Sequence, residues 1–210
     1  MAAMHRQPAT SSKGAYTMPE HIPPELTETE KARLQAKQAI GDSASSAARR
    51  RDIEGVAVSI IRMSQIDLDR DRYRNSLHIP TDAGEHAEAL KAILLRIPDG
   101  WGRWIRHSKG WYPLVVRLDA AMDEIDPDYD VCQVKEKFGV LKYYYDPHTD
   151  NKELRQQMRK LVDAAESESK EICEECGSRA DVQLRNFPHR IQTLCELCTA
   201  TYRAHTGQSA

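Results

Sequence analysis

Four of the five cysteines in this 210-residue chain form two C-x-x-C pairs near its C terminus. The pairs are separated by 18 residues, a spacing typical of sites in which four thiolates bind one zinc ion. Because four thiolates complete a tetrahedral coordination sphere, the pattern predicts one structural Zn²⁺ and no catalytic metal. The predicted ligands are Cys173, Cys176, Cys195 and Cys198.

Two other uses of cysteine pairs fit this pattern less well. A redox-active pair of the thioredoxin type needs one C-x-x-C motif that opens a helix, not two matched pairs. An HNH-type nuclease also uses a treble-clef frame, but it needs a catalytic histidine on a longer insertion, and His189 is the only histidine between the pairs. The fifth cysteine, Cys132, lies in an alternating strand pattern and is interpreted as a small buried side chain.

Cations and aromatic rings are interleaved in residues 96–117, which we call the Trp-rich basic segment and which contain all three tryptophans. Cations for phosphates beside rings for base stacking are typical of single-stranded nucleic-acid binding. We rank a structural interpretation first, in which the rings are core anchors and the six acids within residues 119–130 pair with the cations. The candidate nucleic-acid-binding residues are Arg103, Trp104, Arg106, Lys109 and Trp111.

A further candidate surface is the KEKFG sequence at residues 135–139, which lies between two alternating runs and therefore at the tip of a predicted β-hairpin. Lys135, Lys137 and Phe138 are its candidate partner-binding residues. An exposed aromatic ring beside two cations favours a protein partner. The alternative is that Phe138 covers the core.

The N-terminal part of the chain is predicted to have little buried surface. Residues 1–25 are rich in Pro, Ser, Thr and Ala and are predicted to be disordered. Thr27 and Glu30 have capping-box spacing and open a polar helix that Gly41 should end. Residues 42–51, with three consecutive arginines, are then interpreted as a linker, so that residues 26–52 form a polar helix and a basic linker.

Residues 53–170 are predicted to form a mainly helical domain with one β-hairpin, followed by a zinc module at residues 171–204. Between the cysteine pairs, two short strands are predicted to meet at Phe187, and a helix is predicted after Cys198. The fold class is therefore α+β, with a C-terminal four-cysteine treble clef or zinc ribbon. Apolar residues recur at helical spacing in several stretches of residues 53–170, and helices are predicted to begin near Ile53, at an Asp82/Glu85 capping pair, at Pro113 and at an Asp150/Glu153 capping pair.

The overall composition excludes some classes of protein. The formal net charge is -2, so no global positive field attracts nucleic acid or anionic lipid. No apolar run approaches the roughly 20 residues that span a bilayer, and the N terminus lacks the apolar stretch of a secretory signal. We therefore expect a cytoplasmic protein with no membrane partner, or one in the host cytoplasm if a phage encodes it.

The run from residue 108 to the second cysteine pair resembles a family of uncharacterised proteins of actinobacteria and their phages. The similarity covers about residues 108–200 and lies mainly in the QVKEKFG segment at residues 133–139 and in the paired C-x-x-C ending. Similar proteins tend to have a second glycine where this chain has Val140. The resemblance implies no established activity.

Together these patterns favour a non-enzymatic binding or adaptor protein, with a structural zinc ion and a protein partner. The second hypothesis is a nucleic-acid-binding regulator that uses the Trp-rich basic segment. An enzyme of unrecognised type is the third, because the sequence contains no phosphate loop, nucleophile elbow or paired-carboxylate pattern above chance.

Overall fold

The computed structural model of the chain describes residues 23–188 and 190–206, and within them it has the predicted α+β architecture. The prediction of disorder for residues 1–25 falls outside the described residues, except for its last three positions. None of the described helices is long and apolar enough to cross a membrane. The helices are α1 Glu28–Arg49, α2 Ile53–Ser64, α3 Arg70–Asn75, α4 Ala87–Leu95, α5 Tyr112–Asp123, α6 Lys152–Ser169 and α7 Glu196–Thr206; the strands are β1 Ile105–Arg106, β2 Asp130–Lys137, β3 Val140–Asp146, β4 Gln183–Phe187 and β5 Arg190–Leu194.

The main core lies between three helices and a three-stranded sheet. The sheet has the order β1-β2-β3, in which β1 is parallel to β2 and β2 is antiparallel to β3. Helices α4, α5 and α6 contribute the apolar faces that their sequence spacing predicted, and these faces pack on the hairpin. Fully buried side chains at this centre include Leu90, Ile93, Trp111, Met122, Val134, Leu141 and Met158.

The predicted β-hairpin is confirmed, and its turn is tight. Lys137 pairs with Val140, so the connection consists only of Phe138 and Gly139. Both residues have positive φ, 56° and 76°, which is the geometry of a two-residue type I′ turn. The absence of a second glycine at position 140 is therefore compatible with the turn, because Val140 already belongs to the strand.

A partly buried carboxylate connects the hairpin to the helices. The Asp119 carboxylate accepts hydrogen bonds from the hydroxyls of Tyr129 at 2.5 Å and Tyr143 at 3.1 Å, and it lies 3.4 Å from Arg96. Burial raises the pKa of both tyrosines, which keeps them protonated as donors. The network fixes α5, β3 and the end of α4 against one another.

At the N terminus, α1 and α2 form a helical hairpin that differs from the predicted helix and linker. The Thr27–Glu30 capping box is present, but α1 does not end at Gly41 and continues through the predicted linker to Arg49. Gly41 faces α2, where a β-carbon would lie 3.8 Å from the Met63 methyl group. Packing against α2 therefore outweighs the local preference of glycine to end a helix.

Two predicted capping pairs are also replaced by other contacts. No side chain caps α4 or the short 3-10 turn before it; instead the Asp82 carboxylate accepts a hydrogen bond from the Tyr112 hydroxyl at 2.9 Å. Helix α6 is capped by Asn151, the residue after Asp150. In the first case a tertiary contact uses the side chain that the sequence pattern assigned to a cap.

We expect Gly41→Ala to stabilise α1, because alanine removes the entropic disadvantage of a helical glycine and the new methyl group has room. The gain should be about 0.5–1 kcal/mol, measured as slower amide hydrogen exchange within residues 28–49. Gly84→Ala is the matched control: its φ of 54° disfavours any side chain, although nothing lies within 4 Å, so it should be destabilising. Faster exchange in Gly41→Ala would show that the helix breaks at this position.

Candidate metal centre

The four predicted ligands are brought together by two different local structures. Cys173 and Cys176 lie in a turn after α6, where the Gly177 N–H donates to the Cys173 carbonyl at 2.9 Å and Gly177 adopts a φ of 76°. Cys195 follows β5, and Cys198 lies in the first turn of α7. The antiparallel hairpin of β4 and β5 returns the chain from the first pair to the second. The predicted order of turn, hairpin and helix is therefore observed.

The sulfur geometry suits one tetrahedral ion. The four Sγ atoms all lie within 4.8 Å of one another, and the Sγ atoms of Cys176 and Cys195 are 3.7 Å apart. Metal–sulfur bonds of about 2.3 Å in a tetrahedron place neighbouring sulfurs about 3.8 Å apart. All five cysteines are free thiols. The four C-terminal cysteines can thus hold one metal ion.

The electrostatic environment favours a cation among the sulfurs. The Cys198 N–H donates to Cys195 Sγ at 3.5 Å, and this hydrogen bond is the main reason that the pKa of Cys195 is lowered. Burial is the main cause that raises the pKa of Cys173 and Cys198. Several anionic sulfurs this close together are therefore costly unless a cation neutralises them. With four protein ligands a tetrahedral ion has no open position for water or substrate, so it would act structurally.

The first cysteine pair lies against the backbone of the main domain at Gly110. The Gly110 N–H donates to the Glu174 carbonyl at 2.8 Å. A β-carbon at Gly110 would lie 2.6 Å from that same oxygen and 2.5 Å from the Gly177 nitrogen, so this position excludes every side chain. Next to it, Trp111 is fully buried and donates its indole N–H to the Ile172 carbonyl at 2.9 Å.

Inside the first pair, Glu174 is a fully buried carboxylate that joins three segments. One oxygen accepts the Ser108 N–H at 3.2 Å and lies 3.7 Å from Arg190, and the other accepts the Gln192 side-chain amide at 3.2 Å. Burial raises its pKa, while Gln192 and Arg190 oppose that shift. Glu174 thus positions the cysteine turn between the main domain and β5.

The hairpin tip makes the second contact with the cysteine module. The Thr193 hydroxyl donates to the Gly139 carbonyl at 2.5 Å. A β-carbon at Gly139 would overlap Leu184 Cδ1 and lie 3.2 Å from Thr193 Oγ1. The positive φ of Gly139 and the close approach of β4 and β5 both disfavour a side chain at this position.

His107 lies beside the Gly110 segment, against Trp111 and Tyr112, and is not arranged as a metal ligand. Its Nδ1 is 2.9 Å from the Ser108 carbonyl, and its Nε2 is buried without a hydrogen-bond partner among the described residues. Burial of this ring nitrogen lowers the pKa of His107 to about 4. The ring is therefore neutral near pH 7 and packs against Trp111 and Tyr112. His189, which an HNH-type nuclease would need, lies outside the described residues.

The candidate nucleic-acid-binding residues are divided between the interior and the surface. Arg103 is 5% exposed, lies 2.9 Å from Asp99 and donates to the Asn75 and Ile97 carbonyls. Trp111 is also buried, with 0% of its surface exposed. Trp104 and Arg106 lie together at the surface, with the guanidinium 4.8 Å from the ring centroid, and Lys109 is exposed elsewhere.

The candidate partner-binding residues remain at the surface. Phe138 is 67% exposed and lies 5.5 Å from the Lys137 ammonium, which is also exposed. The Lys135 ammonium lies 5.4 Å from the ring centroid of Tyr144 on the neighbouring strand. The alternative in which Phe138 covers the core does not agree with this exposure.

Four residues that hold the module were not identified from the sequence: Ser108, Gly110, Glu174 and Thr193. Their contacts join segments more than 50 residues apart, and no local spacing indicates such contacts. Of these four residues, only Gly110 could have been noticed locally, because a glycine is unusual in a stretch that otherwise has the pattern of a helix start.

Comparison with known proteins identified no relative: no protein-family model, no curated protein and no solved structure matches this chain.

Gly110→Ala is expected to lower the free energy of unfolding by roughly 1–3 kcal/mol, because the new methyl group overlaps backbone atoms that cannot rotate away. Urea denaturation of the full chain gives this number. Gly100→Ala is the control: its β-carbon meets nothing within 4 Å, and only its φ of 86° is unfavourable. Wild-type stability in Gly110→Ala would mean that the cysteine turn does not lie against this segment.

Proposed function

We propose that this chain is a non-enzymatic binding protein in which one structural Zn²⁺ supports a protein-binding surface at the hairpin tip. The observation that carries the proposal is Phe138, a large aromatic residue that is exposed and has a positive φ. The metal and the surface are linked, because the same module that contains the cysteines also contacts Gly139.

The nature of the ligands supports zinc. Tetrahedral sites of four thiolates select Zn²⁺ or iron among the common metals, and two C-x-x-C pairs at this spacing are typical of structural zinc. The small apolar cluster of the module, centred on Phe187 and Leu194, includes Cys173 and Cys195 themselves. A segment with so few buried apolar groups depends on metal binding for much of its folding energy.

Stability alone does not account for Phe138. A type I′ turn favours Asn or Gly at this position, because a bulky side chain at positive φ is strained by about 1 kcal/mol or more. Burial of the Phe138 side chain offsets little of this strain energy, since most of its surface is exposed. Backbone strain combined with an exposed aromatic ring is typical of residues that contact a partner.

A groove of about 510 Å³ lies beside the ring, between the hairpin tip and the β4–β5 hairpin, and we call it the tip groove. Its charged lining residues are Lys137, Arg190 and Glu136, and Arg190 also lies 3.7 Å from the buried Glu174, so Lys137 is its main available cation. Leu184, which is 61% exposed, lies next to Gly139 and extends the apolar surface. The tip groove therefore suits a peptide segment with an apolar side chain and an acidic neighbour.

The charge of the cysteine module favours protein over nucleic acid as its partner. Four thiolates with one Zn²⁺ carry a net charge of about -2, which repels a phosphate backbone. The arginines of the module are outnumbered as well: residues 171–203 contain Arg179, Arg185, Arg190 and Arg203 against Glu171, Glu174, Glu175, Asp181 and Glu196.

One zinc ion per chain is the expected result of native mass spectrometry. Cys173→Ser should lose the ion and the amide-exchange protection of residues 171–206, because it removes a buried ligand. Cys132→Ser should keep both, since Cys132 is distant in sequence and lies on the hairpin. Iron, two ions, or a metal-free native protein would contradict the zinc assignment.

Phe138→Asn should separate stability from binding. The substitution installs the preferred turn residue, so the free energy of unfolding should rise by about 0.5–1 kcal/mol, while partner capture from cells that make the protein is lost. Trp101→Ser is the control, because Trp101 is a similarly exposed ring away from the tip groove. Capture should be resistant to nuclease. Equal capture by wild type and Phe138→Asn would exclude the tip as the binding surface.

A further inference from the structure

We infer that a second site, separate from the tip groove, binds a nucleotide unit in a cleft formed by α1, α3 and the segment that enters β1. Six residues carry the inference. They are Lys37, Arg70, Tyr73, Arg74, His78 and Trp104, and we call their site the cationic cleft.

The cationic cleft exists because α1 docks on α3. Arg72 of α3 lies 2.8 Å from Glu30 of α1, and Arg33 of α1 donates to the Asp67 carbonyl at 3.2 Å. The space between them is about 580 Å³, within the range of roughly 300–1,000 Å³ that small-molecule sites occupy. Residues far apart in sequence thus line one cavity.

The cationic cleft has three basic side chains and no acidic one among its described lining residues. Lys37, Arg70 and Arg74 form no ion pair with any carboxylate in residues 23–188 and 190–206, and no acidic side chain lines the cavity. Arg72, in the same helix, is instead paired with Glu30. Three cations around one concave surface, with no acid among the lining residues that the structure describes, favour a phosphate group.

An aromatic wall stands beside these cations. The rings of Tyr73 and Trp104 are stacked, with centroids 5.6 Å apart and planes inclined by 29°. His78 fixes this wall, because its Nε2 lies 2.7 Å from the Tyr73 carbonyl and its backbone bridges to Trp104. The Arg106 guanidinium, 4.8 Å from the Trp104 ring centroid, adds a fourth cation at the edge.

Phosphate-binding cations next to a rigid aromatic wall match a phosphate ester that carries a base. An inorganic anion would use the cations alone, and an apolar ligand would leave them desolvated without a partner. A duplex has its bases stacked inside and offers none to a concave cleft. The shared chemistry is therefore a nucleotide unit, either free or as part of a single strand.

The test uses the full-length zinc-containing protein and a fluorescein-labelled single-stranded 12-mer, RNA and DNA in parallel, with anisotropy as the readout. ATP, unlabelled 12-mer, inorganic phosphate and a poly-glutamate peptide are the competitors. The cleft variant combines Lys37→Gln, Arg70→Gln and Arg74→Gln. The control combines Lys152→Gln, Arg159→Gln and Lys160→Gln, which removes the same charge from an exposed face of α6.

The cleft variant should bind at least tenfold more weakly at low salt, and the slope of log affinity against log salt should flatten by about 2, or 0.7 per lost phosphate contact. The control and Phe138→Asn should bind as wild type does, which separates this site from the tip groove. Competition by ATP as strong as by the 12-mer indicates a free nucleotide; competition by the 12-mer alone indicates a strand.

Three results would overturn the inference. Equal weakening in the cleft variant and the control would mean that only overall charge matters. Displacement by inorganic phosphate or poly-glutamate as effective as displacement by ATP and the 12-mer would mean that the aromatic wall has no role. A wild-type protein that binds neither the 12-mer nor ATP at millimolar concentration has no such site.

Discussion

The backbone of Gly110 lies in direct contact with the turn that carries Cys173 and Cys176, and much of the molecule depends on this close approach. No side chain fits between the two backbones, and the Gly110 N–H and the Glu174 carbonyl satisfy each other. The contact positions Trp111 beneath the module, where its indole N–H meets the Ile172 carbonyl. The cysteine module is therefore packed on the main core on one side and, through Thr193, on the hairpin tip on the other.

This arrangement couples the metal ligands to a surface that contains none of them. The tip of the β2–β3 hairpin contacts Thr193 and Leu184, which belong to the β4–β5 hairpin between the cysteine pairs. A change that unfolds the cysteine turn would release Gly139 and with it Phe138. The proposed zinc ion thus acts through backbone contacts over residues that are distant in sequence, in agreement with a structural role.

The two proposed binding surfaces differ in chemistry and in the elements that build them. The tip groove combines an exposed aromatic ring with a module whose charge disfavours phosphates, whereas the cationic cleft is lined by three cations and no acid. They share no lining residue. The proposed protein partner and the proposed nucleotide-bearing ligand would therefore occupy different sites on the chain.

Local spacing along the chain was enough to predict the four-cysteine site, the β-hairpin and the helices whose apolar residues recur at a constant period. A C-x-x-C turn and a hydrophobic stripe are formed by residues within one or two turns of each other, so neighbours in sequence suffice to specify them. Other features depend on contacts between segments that are distant in the chain. Gly41 remains helical because α2 packs on it, Asp82 meets Tyr112 instead of capping a helix, and Arg103 and Trp111 are buried while Trp104 joins Tyr73 in a cleft. In these cases the contacting residue is distant in the chain, and for Gly41 and Asp82 the contact outweighs a local preference of about 1 kcal/mol.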